Sequence, residues 1–171
     1  MMSNKEQANK VQKVQPKKKA APKKPVESVS ITSIAHLDGV DHINIDNNCA
    51  KTELGKLLTP FAKTPFEHPE YGPFFSLEGF WHWIRSSAKN EVKDEIRSLH
   101  GKRAHAFGKK ITEDSPIILQ NFRELVIVAM YYKIIDRNNA HLYDLFVASD
   151  LPIKFYYLYG IKKLEINPDY A

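Results

Sequence analysis

The chain has 171 residues, of which 43% are hydrophobic and 26% are charged, and one domain is the expected count at this length. Its net charge of +5 is unevenly placed, because residues 1–25 hold eight Lys and one Glu (net +7), whereas the other 146 residues have a net charge of −2. The mildly acidic remainder excludes a domain with a basic nucleic-acid surface of its own, and no apolar run approaches the ~20 residues of a membrane span.

The first 25 residues form a lysine-rich tail with almost no large apolar side chains. They cannot bury enough surface to offset the entropy of ordering, so we expect this tail to be disordered. Its densest basic cluster consists of Lys17, Lys18, Lys19, Lys23 and Lys24. The cluster would either solubilise the chain or hold a nucleic-acid backbone by counterion release. The tail lacks the apolar stretch of a secretory signal and Cys49 is the sole cysteine, so we expect a cytoplasmic protein, or a nuclear one in a eukaryote.

The first half of the domain is predicted to begin with a β-hairpin. Polar and apolar residues alternate over residues 28–34 and 40–45, and Asp38 and Gly39 mark a turn between them. A short segment over residues 52–58 follows. Four prolines then make residues 59–73 a loop, because proline removes an amide donor and restrains its predecessor. Ser76 is a suitable N-cap for a helix over residues 77–85, and apolar spacing predicts another helix over residues 90–99.

The second half is predicted to be mostly helical. A helix over residues 102–109 would be closed by Gly108, and Ser115 followed by Pro116 would open the longest helix, which extends to residue 137. The apolar stripe of that helix comprises Ile118, Phe122, Leu125, Ala129 and Tyr132. A helix from residue 138 or 139 to about 149 and a strand over residues 153–158 follow. Residues 26–171 are thus expected to form a single α+β domain, mostly helical, with a few short strands.

Glu78 is the carboxylate best placed for chemistry. It lies in the first turn of an aromatic helix, where burial would raise its pKa and the helix N-terminus would favour its ionised form. Glu78, His82 and Arg85 follow one another on one helix face, which could grip a sugar by its hydroxyls and a phosphate by the guanidinium. The alternative is that Glu78 only completes the helix cap and pairs with His82 on the surface.

Other candidate residues carry weaker signals. Trp81 and Trp83 fit core positions better than ligand platforms. Lys109, which follows Gly108, could contact a phosphate, although the P-loop pattern is missing. Three histidines do not converge at metal-ligand spacing along the chain, namely His100, His105 and His141. We therefore predict no metal and no cofactor.

Four motifs over residues 54–160 resemble, in their order and spacing, the NADAR family of YbiA-like N-glycosidases. Residues 58–61 (LTPF) stand at the family's S-N-F loop, and residues 75–85 (FSLEGFWHWIR) look like its glutamate helix. Residues 96–97 (IR) with residues 104–109 (AHAFGK) resemble its I-R and A-x-x-x-G segment, and residues 159–160 (YG) resemble its terminal W-G.

The resemblance implies a single NADAR-like domain that cleaves an N-glycosidic bond at a ribose. Its substrate would be ADP-ribosylated guanine in nucleic acid, or a ribosylamino-pyrimidine phosphate. At the matching position Glu78 would be the catalytic carboxylate, which stabilises positive charge on the sugar or orients the water. The expected ligand-binding residues are Phe61, Trp81, His82, Arg85, Lys109 and Tyr159.

The chain departs from the family pattern at several positions. Arg85 stands where the family has Lys, and a guanidinium keeps the charge but cannot act as an amine nucleophile. Gly79 and Pro60 replace a His and an Asn, and the Asp before W-G has no clear counterpart. Two alternatives therefore stay open. One is a module that binds an ADP-ribosyl or nucleotide ligand without catalysis, and the other is a protein that binds nucleic acid through its basic tail.

Overall fold

A computed structural model of the chain describes residues 34–159 and 163–166 and confirms the α+β class with helices dominant. The elements are β1 (Ile43–Asn44), α1 (Glu53–Leu58), β2 (Phe66–His68), β3 (Gly72–Phe74), α2 (Leu77–Ile84), α3 (Asn90–Lys93), a 3₁₀ helix (Asp94–Ser98), α4 (Gly101–Asp114), α5 (Phe122–Ile135), a second 3₁₀ helix (Arg137–Asn139), α6 (Ala140–Val147), β4 (Ile153–Lys154), β5 (Tyr156–Tyr159) and β6 (Lys163–Ile166). The lysine-rich tail lies outside the described residues. None of the described helices has both the length and the apolar character needed to cross a membrane.

The strand predicted over residues 40–45 is much shorter than expected, and its partner is a distant one. Only β1 forms, and it pairs in parallel with β4, so that Ile43 lies opposite Ile153. The expected partner, residues 28–34, lies outside the described residues except for Ile34, which is helical. The carboxylate of Asp38 accepts the backbone N–H groups of Asn44 (2.9 Å) and Lys51 (2.7 Å), which holds this stretch in turns.

The proline-rich segment is not simply a loop, because β2 and β3 form an antiparallel hairpin within it. Phe66 pairs with Phe74, and both side chains are buried. Pro73 lies opposite Glu67 in this two-stranded sheet, where the missing donor is tolerated because the strand has a free edge. Burial of the two phenylalanines stabilises a strand pair that the proline content disfavours locally.

The predicted N-cap of α2 is confirmed. The Ser76 hydroxyl accepts from the N–H of Gly79 (3.1 Å) and donates to the carbonyl of Leu99 (2.9 Å). The helix predicted over residues 90–99 is instead α3 followed by a 3₁₀ helix, which ends where the N–H of Leu99 reaches the carbonyl of Ile96. Ser76 thereby joins the start of α2 to the end of the 3₁₀ helix.

Two boundaries in the helical half were predicted wrongly. Gly108 does not close a helix, since α4 continues to Asp114. The long helix begins at Phe122 rather than near Pro116, because Pro116 forms a β-bridge with Ser86 and this segment runs along the end of α2. Ile118 consequently projects into solvent, with 97% of its surface exposed. The strand predicted over residues 153–158 is divided into β4 and β5.

Within residues 34–159 and 163–166, most of the buried apolar residues form three clusters. The largest lies among the β2–β3 hairpin, α2 and α5, and contains Phe66, Phe74, Leu77, Phe80, Ile84, Leu125 and Ala129. The second joins β1, α1 and α6 through Ile43, Leu54, Leu58 and Leu142. The third joins the first 3₁₀ helix to α4 through Ile96, Ala104 and Ile111. Leu77, Phe80 and Ile84 of α2 thus face the first cluster, which leaves the opposite side of the helix to face α4.

Candidate functional site

The site is built around Glu78 in the first turn of α2. Its N–H donates to the carbonyl of Pro60 (2.9 Å), and the next carbonyl along that loop, of Phe61, accepts from the N–H of Gly101 at the start of α4 (2.9 Å). The loop therefore ties the N-termini of α2 and α4 together. Glu78 is only 8% exposed, although it is a carboxylate. A buried carboxylate needs partners, and this one has two.

Two histidines contact the same carboxylate oxygen. His82 Nε2 lies 3.2 Å from Glu78 Oε1, and His105 Nδ1 lies 2.7 Å from it. His82 is one helical turn beyond Glu78 on α2 and is buried, whereas His105 comes from α4 and has a half-exposed side chain. The donor atoms of all three side chains lie within 4.8 Å of one another, a grouping that could hold a metal ion. We call these three residues the Glu–His–His cluster.

Gly108 allows α4 to approach α2 this closely. A Cβ atom at this position would overlap the ring of His82. The same turn of α4 supplies Thr112, whose hydroxyl donates to the carbonyl of Gly108 (2.8 Å) and lies 3.4 Å from His82 Nδ1. Because the hydroxyl proton is used on the carbonyl, its oxygen accepts from Nδ1–H of His82. Thr112 thereby orients the imidazole.

The charge of Glu78 is set by two opposing effects. Burial acts to raise the pKa of its carboxyl, but the hydrogen bonds and positive charge of His82 and His105 outweigh burial, so the pKa is lowered from 4.5. Glu78 is therefore ionised at neutral pH. The sequence predicts that the helix N-terminus opposes the effect of burial on the pKa of Glu78. In the structure two histidines oppose it.

The other predicted ligand residues are only partly gathered at this site. The Phe61 ring lies 5.6 Å from the ring of His105 and borders the cluster. Arg85 lies on a different side of α2, over the rings of Trp81 (5.9 Å) and Phe122 (5.7 Å). The expected single face of Glu78, His82 and Arg85 is therefore divided between two surfaces.

Of two further predicted positions, Lys109 lies apart from the Glu–His–His cluster and Tyr159 has a side chain that the structure does not describe. Lys109 is exposed and reaches Glu113 along α4 (3.7 Å). Tyr159 belongs to β5, opposite Lys163, and its side chain lies outside the described part of the chain. Trp81 and Trp83, expected in the core, are both half-buried, and the Trp83 indole donates to Asp94 (2.8 Å).

Sequence spacing did not predict the role of His105, Gly108 or Thr112. His141, one of the histidines with which His105 shares no ligand spacing along the chain, lies on α6 and pairs with Glu53 of α1 (2.8 Å). His82 and Glu78, the two neighbours of His105 in the cluster, lie 23 and 27 residues before it in the sequence. The one available signal was that Gly108 and the preceding His105 fall in a motif whose spacing resembles a known family segment.

A cavity of about 510 Å³ lies elsewhere, between α1 and α6. It is lined by Ile43, Thr52, Glu53, Leu54, Leu145, Ala148, Ser149, Asp150 and Leu151. None of these residues belongs to the Glu–His–His cluster, so the cavity and the cluster are separate features.

Comparison of the chain with protein-family models, with curated proteins and with solved structures found no match. The NADAR-like assignment therefore stays a prediction from the order and spacing of the sequence motifs.

Proposed function

We propose that the chain hydrolyses an N-glycosidic bond at a ribose, with Glu78 as the catalytic carboxylate. The observation that supports this proposal is an ionised, buried Glu78 held by two histidines beside the aromatic ring of Phe61. The substrates that fit the motif order are ADP-ribosylated guanine in nucleic acid and a ribosylamino-pyrimidine phosphate.

The chemistry requires a fixed negative charge near the anomeric carbon. As the C–N bond breaks, positive charge develops on the ribose, a water oxygen bonds to the anomeric carbon, and the departing nitrogen takes a proton. The carboxylate of Glu78 can stabilise that charge or take a proton from the water. His105 is half-exposed and lies 2.7 Å from the carboxylate, so it can exchange protons between Glu78 and solvent.

The lysine cluster of the tail favours a nucleic-acid substrate. Residues 1–25 have a net charge of +7, and lysines neutralise phosphates without regard to base sequence. The same protein would then hold the nucleic acid through the tail and cleave at Glu78.

A binding module without catalysis is the second candidate, and the position of Arg85 favours it. The guanidinium lies over the rings of Trp81 and Phe122 and not beside Glu78. A cation over two partly exposed rings offers a stacking surface for a nucleobase and a charge for a phosphate. Such a surface binds a nucleotide without any need for Glu78.

A turnover assay on matched glutamate variants tests the first proposal. Wild type and Glu78→Gln are incubated with an ADP-ribosylated guanosine oligonucleotide and with a ribosylamino-pyrimidine phosphate, and products are read by mass spectrometry. We expect wild type to release ADP-ribose or ribose phosphate and Glu78→Gln to release none, because the amide cannot carry the charge. Both proteins should melt within a few degrees of one another.

Glu53→Gln is the matched control, because Glu53 also pairs with a histidine but is exposed. We expect this variant to keep full turnover. Turnover by Glu78→Gln would remove Glu78 from the reaction. Wild type that is folded, binds the oligonucleotide and releases nothing would contradict hydrolysis and favour the binding module.

A further inference from the structure

We propose that the Glu–His–His cluster is a binding site for one divalent transition-metal ion, with Zn²⁺ as the preferred ion. The inference rests on the geometry of Glu78, His82 and His105 and does not depend on the proposed hydrolysis. It revises the sequence-based expectation that the chain has no metal site.

The spacing of the donor atoms suits a tetrahedral ion. Zn²⁺ bound to nitrogen and oxygen at ~2.1 Å places neighbouring donor atoms about 3.4 Å apart. Glu78 Oε1 lies 3.2 Å from His82 Nε2 and 2.7 Å from His105 Nδ1, and all three donor atoms lie within 4.8 Å of one another. His105 is half-exposed, so its ring can shift by the roughly 0.7 Å that an ion between these atoms requires.

The placement of the donors also follows a known ligand spacing. Glu78 and His82 are four residues apart on α2 and therefore project from one face of the helix. His105 is supplied by a second helix, α4, whose approach depends on Gly108. Three protein ligands with the fourth position left to water is the arrangement of zinc sites that are open to small molecules.

The hydrogen bond between Thr112 and His82 also fits a metal site. Since Thr112 Oγ1 accepts from His82 Nδ1–H, the other ring nitrogen, Nε2, is directed at the Glu78 carboxylate. His82 Nε2 and Glu78 Oε1 lie 3.2 Å apart, a separation that a proton or a bound cation between them can bridge. A hydrogen bond from the second ring nitrogen is also what commonly orients a metal-bound histidine.

The donor set selects the class of ion. Two imidazoles and one carboxylate favour Zn²⁺ and its neighbours over Mg²⁺ and Ca²⁺, which prefer oxygen ligands. A bound ion would occupy the carboxylate that the proposed hydrolysis needs. The metal-bound and hydrolytic forms of the protein would therefore exclude each other.

Calorimetric titration of the full-length, chelator-treated protein with ZnCl₂ tests the inference. We expect one equivalent to bind wild type, and CoCl₂ to give the visible absorption of a tetrahedral complex. His105→Ala should weaken binding by roughly tenfold or more, because it removes one of three ligands. His105 is half-exposed, so its removal leaves the core intact.

His141→Ala is the matched control, since His141 also pairs with a glutamate but belongs to no group of three metal donors among the described residues. Its affinity for Zn²⁺ should equal that of wild type. The inference is overturned if wild type binds no Zn²⁺, if His105→Ala binds as tightly as wild type, or if Co²⁺ gives no tetrahedral spectrum. A Glu78→Gln variant that retains turnover would end the proposed hydrolysis without bearing on the ion, so the two failures are distinguishable.

Discussion

Gly108 governs the site at the scale of a single residue. It lies in the middle of α4, where glycine costs about 1 kcal/mol relative to alanine in helix propensity. The position tolerates that cost because any Cβ would overlap the ring of His82. The interpretation of Gly108 as a helix end was wrong for this reason: glycine signals either a terminus or a close approach, and the sequence alone does not distinguish the two.

We expect Gly108→Ala to weaken both the fold and the site. The methyl group gains helix propensity but forces His82 or α4 to move, and overpacking of this kind costs about 1–3 kcal/mol. Denaturant unfolding would show the loss of stability, and the turnover assay would show a loss of activity. Ala106→Ser, on the exposed side of the same helix, should leave turnover unchanged and cost no more than the helix-propensity difference of about 0.5 kcal/mol. A Gly108→Ala variant as stable and active as wild type would show that Gly108 does not set the distance between α2 and α4.

The first 3₁₀ helix shows, at the scale of elements, how a short segment is held by one side chain. Arg97 donates to the carbonyl of Tyr71 (2.6 Å) and to Asp94 (2.9 Å). Its guanidinium also lies over the rings of Phe74 (4.5 Å) and Trp83 (4.4 Å). One arginine thus connects the 3₁₀ helix with the β2–β3 hairpin and with α2.

Arg97→Lys should therefore destabilise the protein although it keeps the charge. An ammonium cannot stack its plane on two rings and donate to two acceptors at once, so we expect a loss of about 1–2 kcal/mol in unfolding free energy. Arg103→Lys, an exposed position on α4, is the control and should be neutral. Equal midpoints for Arg97→Lys and Arg103→Lys in chemical denaturation would contradict the role given to Arg97.

Elements were predicted well where their signals are local. The N-cap of α2 and the existence of α4 and α6 follow from nearby residues, whereas residues 52–58 were predicted only as a short segment and form α1. The hairpin β2–β3 was missed because its stability comes from Phe66 and Phe74 packing against α2 and α5. The start of α5 was placed too early because Pro116, a good first helical residue, is bridged to Ser86 instead.

At the scale of the whole molecule, Lys133 connects α5 with the end of α1. It is fully buried on α5, and its Nζ donates to the carbonyls of Leu58 (3.0 Å) and Thr59 (2.7 Å) at the end of α1. These partners are carbonyl oxygens, and burial lowers the pKa of Lys133 from 10.5 to about 7. The next residue, Pro60, accepts from the N–H of Glu78, so Lys133 helps to fix the loop that contacts the site.

The stability of the protein should depend on pH through Lys133. Between pH 7 and 10.5 the unfolded chain binds a proton at this lysine that the folded chain has released. The free energy of unfolding therefore rises with pH across that window, with a slope approaching about 1.4 kcal/mol per pH unit. Lys133→Met lacks this titration, so the free energy of unfolding of wild type should rise relative to that of the variant as the pH increases.

Unfolding measured at several pH values for three proteins checks this expectation. Lys133→Met removes two hydrogen bonds and will differ from wild type at every pH, so only the change in slope is diagnostic. Lys109→Met, in an exposed pair with Glu113, should follow the wild-type slope. Parallel profiles for wild type and Lys133→Met would show that Lys133 keeps its ordinary proton in the folded state.

The sequence by itself determined what depends on neighbouring residues. It determined the α+β class, the uneven charge, the Ser76 cap and the place of Glu78 in the first turn of a helix, because helix starts are specified within about four residues. Tertiary structure alone decided that His105 reaches Glu78, that Gly108 faces His82 and that β1 pairs with β4. These contacts join residues far apart in the chain, and they form only when α2 and α4 are packed on a common core, which local patterns do not encode.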